Sequence, residues 1–154
     1  MLKLTKKADY GLIAMRHLAE HVEDGALSAK DLAEAYAIPQ EALAKILQRL
    51  ARARLLVSHH GSNGGYRLAR DPKKITALEV IRAIDGPLFI TTCFSSRDCE
   101  QTTRCTVREP LRRVGESIQG VLDRLTLFEM TQGEASDKHE SAELVTLPGA
   151  QARA

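Results

Sequence analysis

A chain of 154 residues, 44% of them hydrophobic and none of them tryptophan, has room for one domain with a modest core, or for one domain and an extension. No apolar run reaches the roughly 18 residues that a membrane span needs, and the polar, lysine-bearing stretch from Met1 to Asp9 is followed by no signal-peptide core. A cytoplasmic protein with reduced thiols is expected, which argues against a disulfide framework. The formal net charge of +2 is unevenly spread. Residues 1–75 carry 13 Lys and Arg against 8 Asp and Glu, residues 76–128 balance at 7 against 7, and residues 129–154 carry 2 against 5. A basic first half followed by an acidic tail directs attention to a polyanionic partner for the first half.

Along the chain, Leu12, Met15, Leu18, Ala19 and Val22 recur at helical spacing, with Thr5 as a plausible N-cap and Asp24-Gly25 as a stop. Ser28 and Asp31 resemble a capping box for a short helix from Ala29 to Tyr36, with Leu32 and Ala33 turned inward. Pro39 suits the first turn of the next helix, where its missing N–H has no partner to lose. In that helix Leu43, Ile46, Leu47 and Leu50 form an apolar stripe opposite Gln40, Glu41, Ala44, Lys45, Gln48, Arg49 and Arg52. Two short helices joined by a tight turn, the second with a polar and basic face, make a helix-turn-helix. Leu55 to Ser58, the turn from Gly61 to Gly65, and Tyr66 to Leu68 then read as a β-hairpin, a wing. From Pro39 to Lys74 there are 8 basic and 2 acidic residues, so the charge excess sits on this unit.

Thr76-x-x-Glu79 is a capping box opening a helix with Leu78, Ile81 and Ile84 inside, stopped by Gly86-Pro87. A polar loop over 87–106 follows, and Thr106-x-x-Glu109 repeats the capping signature, with Pro110 near the helix start. Val107, Leu111, Val114, Ile118, Val121, Leu125 and Phe128 alternate spacings of four and three, which predicts one helix over 107–130 with a dimerisation seam. Residues 131–154 are polar and without periodicity, as in a disordered tail. The expected fold is mainly α: a winged helix-turn-helix over 1–86, a small β-hairpin wing within it, the cysteine loop, and a long C-terminal dimerisation helix.

Such a unit reads duplex DNA by placing side chains of the second helix against base edges in the major groove. Gln40, Glu41, Lys45 and Gln48 lie early enough on the outward face for that role. Arg49 and Arg52 suit phosphates, which fix register and supply the salt-dependent part of affinity. His59, His60 and Asn63 near the wing tip suit an adjacent minor groove, and glycines 61, 64 and 65 let the turn come close to the backbone. Two units joined through the seam would read a two-fold symmetric operator. No nucleophile–base pair and no phosphate-binding glycine loop stands out, so an enzyme is not expected. His17 and His21, spaced i,i+4, read as helix surface rather than as a metal pair.

All three cysteines, Cys93, Cys99 and Cys105, lie in "TTCFSSRDCEQTTRC", six residues apart twice over. Three thiolates on a flexible loop suit a soft metal centre, although the short C-x2–4-C pairs of structural zinc are missing. Spacing alone leaves zinc, thiol sensing and an iron–sulfur cluster open.

"LTKKADYGLIAMRHLA", "IPQEALAKILQRLARARLLVSHHGSNGGY", "ITALEVIRAIDG", the three cysteines and "LDRLTLFEM", in that order over roughly Met1 to Thr131, resemble the Rrf family of winged-helix regulators. The resemblance implies a homodimeric transcription regulator binding double-stranded DNA, with one iron–sulfur cluster per subunit held by Cys93, Cys99 and Cys105. It does not separate [2Fe–2S] from [4Fe–4S]. It implies control by redox state, nitric oxide or iron–sulfur status, with a cluster-free thiol-redox or zinc-stabilised repressor of the same fold as the alternative. In one branch a histidine three residues after the last cysteine is the fourth ligand; that position is Arg108 here. In another branch a carboxylate early in the first helix of the partner subunit completes the site, and Asp9 matches it. His60 stands where relatives often carry a wing arginine.

Overall fold

The computed structural model describes residues 3–94 and 99–133. Its first helix, α1 (Lys6–Glu20), begins as expected at Thr5, whose hydroxyl oxygen accepts the Ala8 N–H at 3.1 Å. The same hydroxyl lies 2.9 and 2.8 Å from the two carboxylate oxygens of Asp85, so one residue caps α1 and ties it to a distant helix end. Ala8, Gly11, Ala14, Met15 and Leu18 form the buried face of α1. A Cβ on Gly11 would lie 2.1 Å from the Cδ1 of Ile84, so a glycine is what lets the two helices approach this closely.

Helix α2 (Ala29–Ala35) is half of a capping box. Ser28 accepts the Asp31 N–H at 3.1 Å, but the Asp31 carboxylate takes the Ser28 hydroxyl at 2.7 Å instead of its backbone N–H. The chain turns through Ala37, at φ 50°, and buries Ile38. Pro39 stands one position earlier than expected, as the N-cap of α3 (Gln40–Arg52), its carbonyl accepting the Leu43 N–H at 3.0 Å. Leu43, Ile46, Leu47 and Leu50 are buried, as the stripe predicts. Each fully buried leucine contributes about 1.5–3 kcal/mol relative to an exposed one.

The wing is a two-stranded antiparallel hairpin, β1 (Leu56–His59) and β2 (Gly65–Leu68), with Leu56 opposite Leu68 and His59 opposite Gly65. Leu55 stays out of the strand because its N–H bonds the Leu50 carbonyl at the end of α3. A Cβ on Gly65 would meet the Leu27 carbonyl oxygen at 2.2 Å, and Leu27 pairs with Tyr66 through hydrogen bonds of 3.0 and 2.8 Å. The backbone that Gly65 approaches is therefore the chain's own, where the wing root docks ahead of α2.

Helix α4 (Ala77–Asp85) has the full capping box of Thr76 and Glu79 and ends at Gly86, at φ 83°. Burial pushes the Glu79 carboxyl up, but its hydrogen bonds from Arg70, at 2.7 Å, and from the Thr76 N–H bring it below the usual carboxylate range.

The C-terminal region departs from the heptad reading in two respects. The capping box at Thr106 does not form: α5 (Arg108–Arg124) has Val107 at its N-cap with no side-chain bond, and Glu109 is engaged by Arg112 and Arg113. Nor is there one helix over 107–130. Leu125 is extended, and Thr126 with Glu129 forms a capping box that starts α6 (Leu127–Gln132). The break comes from tertiary pairing: the Ala77 N–H bonds the Leu125 carbonyl at 2.8 Å and the Leu127 N–H bonds the Ile75 carbonyl at 2.9 Å. Leu127, which is not a seam position, is fully buried, while Phe128 is exposed beneath the Lys73 amine. Helix α6 returns to α1, where the Arg16 Nε donates to the Met130 carbonyl at 3.1 Å. Thr131 and Gln132 belong to α6, and the tail expected to be disordered lies, from residue 134, outside the described residues.

Candidate nucleic-acid interface and cysteine site

Four helices and a hairpin hold the basic face in place. With Leu43, Ile46, Leu47 and Leu50 turned inward, 3.6-residue periodicity brings Gln40, Glu41, Lys45, Gln48, Arg49 and Arg52 to the exposed side of α3. Arg49 differs from the others. Its Nη1 donates to the Ile84 carbonyl at 2.9 Å, so the guanidinium caps the C-terminal end of α4. Beside the start of α3 a hollow of about 380 Å3 is lined by Lys7, Glu41, Lys45 and Arg49. Lys7 was missed in the sequence because it belongs to α1; only the packing of α1 on α3 brings it there.

His59, His60 and Asn63 are exposed and gather at the wing tip around a hollow of about 390 Å3 that also includes Arg67. Arg67 is a second residue the sequence reading passed over. Period-two alternation in "GYRL", with Tyr66 and Leu68 half-buried, turns it outward and was a usable signal. It supplies a permanent positive charge on the wing.

The cysteine loop follows α4. Cys93 sits in a short 3-10 turn (Thr92–Phe94), its sulfur 3.1 Å from the Thr91 hydroxyl. Residues 95–98 lie outside the described residues. The Cys99 carbonyl accepts the Thr102 hydroxyl at 2.6 Å, and Cys105 precedes α5. All three are half-buried, and none is in a disulfide. As a donor set, three thiols on a loop fit an iron–sulfur cluster, which binds through cysteine thiolates. The root of the loop is anchored to both neighbouring helices. Arg82 of α4 donates to Gln119 of α5 at 2.7 Å, and the Gln119 amide donates to the Leu88 carbonyl at 2.9 Å.

Arg108, exposed at the first position of α5, carries no lone pair for a metal. Asp9 is exposed in the first turn of α1. Among the described residues, the set of three possible ligand atoms lying within 4.8 Å of one another is His17, Glu20 and His21.

A basic recognition helix beside a hairpin wing defines a winged helix-turn-helix DNA-binding protein, a transcription regulator. Residues 4–133 match the Rrf2 family model, described as an iron-dependent transcriptional regulator, and the chain belongs to that family. It is 33% identical to the HTH-type transcriptional regulator IscR of Photobacterium profundum over 129 residues, 84% of this chain and 75% of that protein. It is also 33% identical to IscR of Vibrio parahaemolyticus over 149 residues, 94% of this chain and 89% of that protein. Among solved structures, CymR of B. subtilis, the global cysteine regulator, superimposes with a TM-score of 0.75 at 30% identity, covering 86% of this chain and 98% of that one. T. potens IscR superimposes at 0.70 and 31% identity, covering 92% and 94%. The fold is the expected one, and the relatives are regulators rather than enzymes. No helix of the described residues is long and apolar enough to cross a membrane.

Proposed function

We propose that this chain works in the cytoplasm as a homodimer whose operator binding is governed by an iron–sulfur cluster on Cys93, Cys99 and Cys105, with Asp9 of the partner subunit as the fourth ligand. The observation that carries the reading is three half-buried, unpaired thiols on one loop, between the α4 end of the DNA-binding unit and α5. When bound, the group supplies an iron centre responsive to oxidation, nitric oxide or iron supply.

The chain's own residues do the rest. Gln40, Glu41, Lys45 and Gln48 face base edges, Arg52 and Lys7 face phosphates, and His59, His60, Asn63 and Arg67 equip the wing. Helix α5 buries only Gly115 among its own residues while Val107, Val114 and Val121 stand 56%, 49% and 58% exposed at seven-residue intervals. That row is what a second copy would cover. Gln119 ties the loop root to α4 and α5, so order or disorder of the loop reaches both the DNA-binding unit and the seam.

Anaerobically purified protein is expected to be coloured and to hold iron and acid-labile sulfide, both lost in the Cys93→Ala, Cys99→Ala, Cys105→Ala variant, with Asp9→Ala altering the spectrum. The second reading is a cluster-free thiol switch. It is favoured by the likeness to the oxidized form of Staphylococcus aureus CymR, with a TM-score of 0.68 and 26% identity over 85% of this chain. Colourless protein whose DNA binding responds to peroxide and is restored by a thiol reductant without iron would replace the first reading with the second.

A further inference from the structure

The C-terminal half of α1 carries a donor group that the DNA-binding and cysteine sites leave unused. His17 and Glu20 lie in the last turn of α1 and His21 is its C-cap, at i, i+3 and i+4, and a ligand atom from each lies within 4.8 Å of the others. The two imidazoles stack with centroids 4.0 Å apart and an interplanar angle of 20°, so the rings must open from this near-parallel arrangement for both to reach one ion. Paired histidines one helical turn apart recur in zinc-binding helices because their ring nitrogens converge on one point.

Hydrogen bonding determines which nitrogens are available. The His21 Nδ1 lies 2.8 Å from the His17 carbonyl, an acceptor only, so Nδ1 carries the proton and Nε2 presents its lone pair. The His17 Nδ1 is 2.8 Å from the Tyr36 hydroxyl, and Tyr36 packs edge-on against the ring at 5.4 Å; that hydroxyl can donate or accept, and a ligand at Nε2 requires that it accept from Nδ1. Arg16 holds one Glu20 oxygen at 2.8 Å. Ligating histidines and carboxylates take contacts of this kind in their outer shell, where they set ring orientation and tautomer.

We propose that His17 Nε2, His21 Nε2 and a Glu20 oxygen form a binding site for a divalent ion of the zinc class, with water completing a tetrahedral shell. The proposal does not rest on the iron–sulfur reading and stands whether or not the cysteines hold a cluster. Tyr36 is the C-cap of α2 and lies three residues before Pro39, the N-cap of the recognition helix. An ion that fixes His17 would therefore restrain the helix-turn-helix turn through Tyr36.

The test uses the full-length chain with Cys93→Ala, Cys99→Ala and Cys105→Ala, so that thiolates do not compete, and zinc chloride as the probe. Calorimetry is expected to show one zinc ion per chain. The imidazole nitrogen spectrum should move at Nε2 of His17 and His21, with Nδ1 still protonated. Adding His21→Gln, whose amide can keep the bond to the His17 carbonyl, should weaken binding by at least about tenfold. Absence of binding, an affinity in the His21→Gln or His17→Gln protein equal to that of the protein retaining both histidines, or a zinc-induced shift at Nδ1 would overturn the proposal.

Discussion

At the residue scale, burial divides the basic face less simply than periodicity suggests. The spacing of apolar residues in α3 made its outward face legible, since the inward positions of a helix are determined by local geometry alone. The partner of Arg49 was not legible, because Ile84 lies 35 positions further along the chain. Arg49 and Arg52, alike in sequence, should therefore behave differently. Arg52→Ala is expected to lower the slope of log affinity against log salt by about 1, as for a lost phosphate contact. Arg49→Ala should instead cost about 1 kcal/mol of stability, with a smaller change in slope, measured by denaturation and by salt titration of DNA binding. Glu109 gives a second residue-level test. Hydrogen bonding from Arg112, then its charge and Arg113, hold the carboxyl down from 4.5 to about 2. A depressed carboxylate stabilises the fold above its unfolded pKa, and the contribution fades as pH falls from 4.5 towards 2. Because the Glu109 side chain is exposed, salt should erase much of the effect. An NMR titration of Glu109 should show its pKa returning towards the ordinary value in Arg112→Ala; no movement would assign the shift elsewhere.

At the element scale, the capping signature S/T-x-x-E was the most informative local signal and also the source of an error. Thr76 and Glu79 form the box as expected, whereas Thr106 and Glu109 do not, since neighbouring arginines compete for the carboxylate. The same signature at Thr126 and Glu129 does form, yet the unbroken heptad pattern through Leu125 and Phe128 concealed it. Tertiary pairing with Ile75 and Ala77 decided the outcome, and a single-helix reading has no access to it. Thr126→Ala is expected to cost about 1 kcal/mol as a lost cap, and Leu127→Ala about 2–5 kcal/mol as a core truncation. Phe128→Ala, at an exposed position, should cost clearly less in chemical denaturation. Equal losses at 127 and 128 would restore the continuous helix.

At the scale of the whole molecule, the winged helix-turn-helix was readable from sequence because its helices and hairpin are local patterns. How the parts are joined was less readable: Thr5 to Asp85, Gly65 to Leu27, and Gln119 between α4 and the loop are long-range contacts. These joints tie α1 to α4, the wing root to the segment before α2, and α4 to α5 and the root of the cysteine loop at Leu88. Val114→Glu combined with Val121→Glu is expected to give monomers in sedimentation, with weakened binding to a two-fold symmetric operator; an unchanged dimer would move the interface elsewhere. The central claim is that the state of the cysteine loop sets DNA affinity. The most direct measurement is the affinity of one operator fragment for anaerobic, cluster-loaded protein and for the same protein after the cluster is removed, at a single salt concentration. The account predicts a difference of about 5–150-fold, the usual range of coupling between two sites, abolished in the triple Cys→Ala protein. Equal affinities for the loaded and emptied forms would contradict it.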